Sequence, residues 1–324
     1  MDTQKASYTS VNSFPIKLCK HKNFLDHVLL QKKIIPLYAQ FMPTNRCNFK
    51  CSFCSCKKRN QNLEMDFAQA IDATATLIRL GMKAVTLTGG GEPLLYPKIN
   101  ELIMNFIDKG IEVSLATNGL RLDRLKQTSL RSLTWCRVSC SDEQSVNQIR
   151  KALDWAVGKA PEVDWGFSYV VTDRFDPANL MALVEYANKN NFTHVRIICD
   201  LLRLDKSPPM AVVKKTLRGT DDSLVIYQGR KEYLRGQKHC YVSLLRPVLG
   251  PDGMIYPCCG VQYAKKKHDL DFASDMQMGD FDSLDEIYQK QKWFDGHLCD
   301  RCYYDEYNRF IGALLSDMKH GNFV

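Results

Sequence analysis

The 324-residue chain has no run of eighteen apolar residues, so nothing in it reads as a membrane-spanning helix. Its first twenty residues, MDTQKASYTSVNSFPIKLCK, lack the basic start and apolar core of a secretory signal. Internal repeats and low-complexity stretches are also missing. These absences predict a soluble, cytoplasmic protein with no membrane partner. What is present is an ordinary globular mixture, 45% hydrophobic and 25% charged, which can bury a full core. The length suits one large domain with an appendage.

Cysteine is the exception, with thirteen residues, an odd number gathered in close-spaced groups. In a reducing compartment that pattern favours metal binding over disulfides. The formal charge of +8 points to anionic partners, but it counts every cysteine as neutral. A four-iron cluster carries about −2 with four thiolates and about −1 with three, so bound clusters would remove part of the excess. Two basic runs, Lys57-Lys58-Arg59 and Lys265-Lys266-Lys267, read either as solvated faces or as phosphate contacts.

Along the chain, apolar runs alternate with helical spacing. Strands are predicted at 34–43, 83–93, 111–119, 131–141, 163–172 and 193–202, with helices over 64–80, 99–110, 145–158 and 178–190 between them. Six strands in this rhythm imply parallel pairing with right-handed crossovers, in an open sheet or a partial barrel. Residues 1–35 are a polar N-terminal extension, 36–202 the α/β core and 203–239 an irregular basic linker. The rest, 240–324, is a small domain with a hairpin over 241–259 and helices at 283–294 and 299–318. Active sites of parallel α/β folds lie at the carboxyl ends of the strands. The suspicious residues fall there: cysteines after the first strand, Gly89, Gly90, Gly91 and Glu92 after the second, Asn118 after the third and Ser139 near the end of the fourth.

The sharpest motif is Cys47-x3-Cys51-x2-Cys54. Three thiolates within eight residues can wrap one face of a cubane cluster and leave one iron free to bind a cofactor. The competing reading is a zinc knuckle that includes Cys56, although a Cys-x-Cys step fits the spacing less well. The run CNFKCSFC (47–54), followed by TGGGEP (88–93) after the second strand, resembles the radical S-adenosylmethionine (SAM) superfamily. The resemblance implies a partial (β/α)6 TIM-like barrel, a [4Fe–4S] cluster on the three cysteines, and SAM chelated at the free iron. It places Phe53 near the adenine, Gly89 to Glu92 at the methionine ammonium group, and Ser139 and Asn118 in the same pocket. For Ser139 and Asn118 the plain alternatives are a strand-end serine and a turn residue.

A second set comprises Cys240, Cys258, Cys299 and Cys302. The spacing Cys240-x12-Gly253-x4-Cys258 resembles the auxiliary-cluster extensions of the same superfamily, the SPASM and twitch domains. No cysteine follows Cys302, which favours the shorter twitch form with one auxiliary [4Fe–4S] cluster. Structural zinc on the same four residues is the alternative, and Cys259 competes with Cys258 as ligand. Of the remaining cysteines, Cys140 and Cys199 near strand ends are candidate hydrogen-atom donors, or else small core residues like Cys136. Arg196 is a candidate substrate contact or an ordinary paired arginine.

The resemblance further implies reductive cleavage of SAM to a 5′-deoxyadenosyl radical that takes hydrogen from a substrate, with an electron donor such as flavodoxin or ferredoxin. The short twitch spacing suggests an oxidoreductase acting on a small molecule such as a sugar or aminocyclitol. Only about 35 residues precede the first strand, short for the leader-binding domain of peptide maturases. Peptide modification, nucleotide or nucleic-acid modification, and a non-catalytic iron–sulfur or zinc module are the alternatives.

Overall fold

Short apolar strands with every second residue small or polar can bury one face against helices and leave the other for an interior space. The computed structural model shows this arrangement and describes residues 10–57, 59–229, 232, 234–263, 274–317 and 319. Strands β1 (Tyr38–Phe41), β2 (Ala84–Leu87), β3 (Glu112–Thr117), β4 (Trp135–Ser141), β5 (Asp164–Val171) and β6 (His194–Cys199) pair in sequence order, all parallel. The crossover helices include α3 (Phe67–Leu80), α4 (Ile99–Asp108), α6 (Val146–Lys159) and α7 (Pro177–Lys189), with a short α5 (Gln127–Arg131) before β4. The outer strand residues, among them Val85, Leu115, Val138, Phe167 and Ile197, form one core with the helices. This is the expected mixed α/β fold with a parallel sheet of partial-barrel type.

Three expectations change. The stretch read as a linker contains helix α8 (Met210–Thr216) and strand β7 (Val225–Gln228), and β7 pairs parallel with β6. The parallel sheet therefore runs to residue 228, not 202. A four-residue strand bounded by irregular backbone is too short to announce itself by alternation. The described part of the N-terminal extension contains α1 (Ser10–Cys19) and α2 (Lys22–Gln31), which supply Phe14, Leu18, Phe24 and Val28 to the core.

The C-terminal region is also no separate appendage. It contains β8 (His239–Cys240), α9 (Val242–Leu245), β9 (Val248–Leu249), β10 (Met254–Tyr256), β11 (Gly279–Asp280), α10 (Leu284–Gln289), β12 (Phe294–Asp295) and α11 (Asp305–Leu315). The hairpin is β9–β10, turning at Gly253 with φ of 77°, while 242–245, read as strand, is helical. β9 pairs parallel with β1 at Gln40↔Val248 and Phe41↔Leu249. The order β11-β10-β9-β1-β2-β3-β4-β5-β6-β7 thus forms one sheet, and the free edge of β1 is covered.

Helices α1 and α11 meet on this frame. The ring of Phe14 in α1 stacks on Tyr307 in α11 at 4.0 Å between centroids. Phe14→Ala removes a nearly buried aromatic ring, and the expected loss is about 3 kcal/mol. A urea-denaturation series on the variant checks this; an unchanged midpoint would mean that α1 contributes nothing to the core.

Candidate functional site

β1 delivers the chain into a closed loop. Its neck is tied by Met65 N–H to Pro43 O (2.9 Å) and Asn45 N–H to Leu63 O (3.0 Å). Inside lies Arg59, which is buried; its Nε donates to Asn45 O at 2.7 Å and its Nη1 to Cys54 Sγ at 3.4 Å. Cys47, Cys51 and Cys54 are half-buried around it. Burial and the neighbouring thiols push Cys51 up to about 12, and burial also raises Cys47. A hydrogen bond from Cys56, with Arg59 beside it, brings Cys54 down to about 6. Ionised together, three thiols in one loop would repel one another unless a cation compensates; Arg59 donates to one of them, and among the described residues no three ligand-type side chains converge as around a preformed single-ion site. Cys56 is buried, and its thiol is raised by its bond to Cys54 and by burial.

The glycine run is built to touch this loop. Gly91 N–H donates to Thr44 O (3.0 Å) and Glu92 N–H to Arg46 O (2.7 Å). A Cβ on Gly91 would lie 2.1 Å from Arg46 O, and one on Gly89 2.0 Å from Gly91 O, so only glycine fits at either position. Gly90 is buried beside them. Glu92 is 2% exposed and accepts from Thr117 Oγ1 (2.6 Å), Asn118 N (2.7 Å) and Leu94 N (3.1 Å). The carboxylate is thus enclosed, and it binds the ends of β2 and β3 together.

Asn118 Nδ2 donates to Asn48 Oδ1 in the cysteine loop at 2.7 Å. Ser52 N–H donates to Glu143 Oε2 (2.8 Å), beyond β4, and Arg203 Nη2 reaches Ser52 Oγ (3.4 Å) from beyond β6. Phe53 sits half-buried in the same loop. Asn48, Arg59, Glu143 and Arg203 were not foreseen from the sequence. They are ordinary polar residues whose roles depend on loops that meet only in space. Of the basic runs, Lys58 and Lys265 to Lys267 lie outside the described residues.

Strand alternation sorts the remaining candidates. Cys136 and Cys140 belong to the outer core, and Cys199 is buried on the same face as Val195 and Ile197. The hydrogen-donor expectation for Cys140 and Cys199 is corrected accordingly, since thiols on the helix side of the strands do not face the interior. Arg196 and Ser139 occupy the opposite, inner face; Ser139 is exposed there and Arg196 donates to Ser168 Oγ at 3.1 Å. On the same face Tyr38 donates to Thr86, which shares a hydrogen bond with Ser114.

In the C-terminal region Cys240, Cys258, Cys299 and Cys302 line one pocket, with Pro257 and Asn308 among its walls. Among the described residues no three ligand-type side chains converge on a point, as around a preformed single-ion site; these four surround a space. Gly236 N–H donates to Cys299 O (3.0 Å) and Cys302 N–H to Leu234 O (2.6 Å), which fixes the Cys299–Cys302 turn. Asn308 Nδ2 faces Cys240 Sγ at 3.8 Å, and Tyr304 N–H faces Cys302 Sγ at 3.4 Å. Cys259 is turned to the Tyr304 hydroxyl, 2.9 Å away, and does not line the pocket. The geometry therefore favours Cys258 over Cys259.

Residues 41–198 match the radical SAM superfamily, over the same strands that carry the cysteine loop and the glycine run. This part of the chain is a radical SAM domain. Among curated relatives, a GTP 3′,8-cyclase from Clostridium perfringens is 29% identical over 169 residues, covering 47% of this chain and 52% of that protein. A probable GTP 3′,8-cyclase from Methanocaldococcus jannaschii is 30% identical over 131 residues, covering 34% and 43%. The chain thus spans about half the length of the first curated relatives it matches. Among solved structures, Streptococcus suis SuiB bound to precursor peptide SuiA aligns with a TM-score of 0.59 and 15% identity, over 93% of this chain and 79% of that one. The enzyme anSMEcpe with bound AdoMet and a peptide aligns at 0.51 and 15%, over 89% and 86%. At such identity these likenesses speak for the radical SAM fold alone. The superfamily implies a [4Fe–4S] cluster and SAM, and no helix among the described residues is long and apolar enough to cross a membrane.

Burial raises the Glu92 carboxyl to about 7 from 4.5. The folded state therefore holds this proton more tightly than the unfolded chain, and stability from this group falls as pH rises between 4.5 and about 7. The full difference is about 3 kcal/mol. Glu92→Gln should flatten that decline while leaving the Asn118 N–H facing an amide donor, at a cost of about 1–3 kcal/mol. Urea midpoints of the metal-free protein across this pH range test it; parallel wild-type and variant curves would refute it.

Proposed function

We propose that Cys47, Cys51 and Cys54 hold a [4Fe–4S] cluster with one iron open to SAM, and that the chain uses it to take hydrogen from a small polar substrate in the barrel interior. The carrying observation is the docking of the cysteine loop onto the carboxyl ends of β2, β3, β4 and β6 by Gly91, Glu92, Asn118, Glu143 and Arg203. When bound, the cluster supplies the electron for reductive cleavage of SAM, with reduced flavodoxin or ferredoxin as its source. The protein's own part is positional. Phe53 lies within the loop and Asn118 beside it, Ser139 is on the interior face, and α1 and α2 pack into the core beneath helix α11 and help close the frame.

A second cluster of twitch type would sit on Cys240, Cys258, Cys299 and Cys302. Four thiols closing one pocket leave no iron position for substrate, so the donor set suits a group that carries electrons. That supports an oxidative outcome at the substrate. The expectation of a sugar or aminocyclitol receives no support from the curated relatives, which are named as nucleotide cyclases. A phosphorylated, nucleotide-like substrate is the reading they favour for the shared core. Peptide modification is a second reading, favoured by the peptide-bound structures that share the fold.

Anaerobic iron analysis tests the scheme. About eight irons per chain are expected, falling to about four in a Cys47, Cys51, Cys54 triple alanine variant and to about four in Cys240→Ala/Cys299→Ala. Release of 5′-deoxyadenosine under dithionite should vanish only in the first. A reconstituted wild type without iron would overturn both assignments, and four irons lost only with the first set would leave the C-terminal pocket to zinc.

A further inference from the structure

The basic run at 57–59 reads from the sequence as a solvated face or a phosphate contact, yet its last residue turns inward. Lys57 is exposed, whereas Arg59 is only 8% exposed. The Arg59 guanidinium spans the cysteine loop. Its Nε donates to Asn45 O at 2.7 Å, just before Cys47, and its Nη1 donates to Cys56 O, just after Cys54. The same Nη1 lies 3.4 Å from Cys54 Sγ. Asn45 is itself fixed, with its N–H on Leu63 O (3.0 Å) and its Nδ2 on Asn60 O (3.1 Å). One side chain therefore ties both ends of the three-cysteine run to the neck of the loop.

This arrangement does more than close a loop. The acceptors on Arg59 are two carbonyls and a sulfur, so the sulfur is the one that can answer its charge. A guanidinium buried among neutral carbonyls is costly, and a thiolate beside it offsets that cost. The charge acts on Cys47 as well as on Cys54. Hydrogen bonds to the sulfurs and the net charge around them are two of the levers that set an iron–sulfur potential. Both act here in one direction, toward the more electron-rich state. Geometry enters as well, because Nε and Nη1 hold two separate carbonyls in a rigid fork that an ammonium group does not reproduce.

We propose that Arg59 is a positioning residue of the cluster site: it fixes Cys54 within the loop and raises the potential at which a cluster held there accepts an electron. The step it serves is transfer of one electron from a reduced flavodoxin or ferredoxin, with no bond made or broken. This inference rests on the radical SAM reading of Cys47, Cys51 and Cys54.

The test is a potentiometric titration of the anaerobic, iron-loaded full chain, followed by electron paramagnetic resonance on the signal that changes when SAM is added. Arg59→Gln should move the midpoint of that signal to lower potential by at least a tenfold change in the reduced-to-oxidised ratio, about 59 mV for a one-electron couple. Arg59→Lys keeps the charge and loses the fork, and its shift should be smaller. Arg131→Gln, a surface residue paired with Glu162, should leave the midpoint unchanged. A merely structural strut would alter iron content and leave the midpoint of the loaded fraction where it was. An iron-replete glutamine variant with the wild-type midpoint, or a lysine variant shifted as far as the glutamine one, would therefore overturn the proposal. If the glutamine variant loads no iron, the wild type decides instead. Pulsed resonance on reduced protein carrying isotope-labelled arginine must then show a guanidinium nitrogen coupled to the SAM-sensitive cluster, and no coupling would overturn the role. All these outcomes leave the radical reading standing, whereas an iron-loaded wild type with no SAM-sensitive signal would sink that reading itself.

Discussion

The buried carboxylate of Glu92 is the contact on which the rest of the site depends. It gathers the hydroxyl of Thr117, the amide of Asn118 and the amide of Leu94, while its own N–H donates to Arg46 one residue before Cys47. Two strand ends and the start of the cysteine loop are thereby fixed through one residue. A carboxylate this enclosed would be expensive without those donors, and an unpaired acceptor here would be felt at the cysteines. The glycines on either side are needed for the same reason, since backbone meets backbone at Gly91 and a side chain would hold the loop away. The run that reads as a cofactor contact is first of all the hinge of the fold at its active end.

Strand β1 then couples this end to the C-terminal region. Its last residue leads toward the cysteine loop, and its free edge accepts β9. Backbone bonds from Leu37, Gln40 and Met42 to Leu245, Pro247 and Leu249 run along its whole length. The pocket lined by Cys240, Cys258, Cys299 and Cys302 is therefore attached to the barrel by sheet hydrogen bonds. Sheet pairing of this kind would hold the two proposed clusters at a fixed separation, which electron exchange between them requires.

Periodicity and spacing made much of this legible. Six strands, their parallel order and the cysteine triplet follow from alternation, helix rhythm and close thiol spacing, because each is a local signal. Strand β7 was hidden, being four residues long and isolated by irregular backbone. The face of a strand on which Cys140 and Cys199 fall needs an exact register, and in a strand a one-residue uncertainty reverses the answer. Arg59, Glu143 and Arg203 act through loops far apart in the chain, so no pattern along the sequence marks them. Cys258 and Cys259 are neighbours in sequence, and only the position of the Tyr304 hydroxyl separates them.

Arg246 shows how the two regions share their electrostatics. Its guanidinium lies over the ring of Tyr38 at 5.2 Å, on the barrel's inner face, and over Tyr304 at 4.7 Å, on the side of the cysteine pocket. Burial alone would lower this group, yet Tyr304 and the thiols of Cys259 and Cys258 hold it above its ordinary value. It therefore stays charged, and a fixed positive charge there would favour the ionised form of a thiol beside it and the more electron-rich state of whatever that thiol held. The same charge sits behind Tyr38, whose hydroxyl begins the chain through Thr86 to Ser114 in the barrel wall. One half-buried cation thus faces the thiol pocket through Tyr304 and the barrel wall through Tyr38, so a change at Arg246 is felt on both sides.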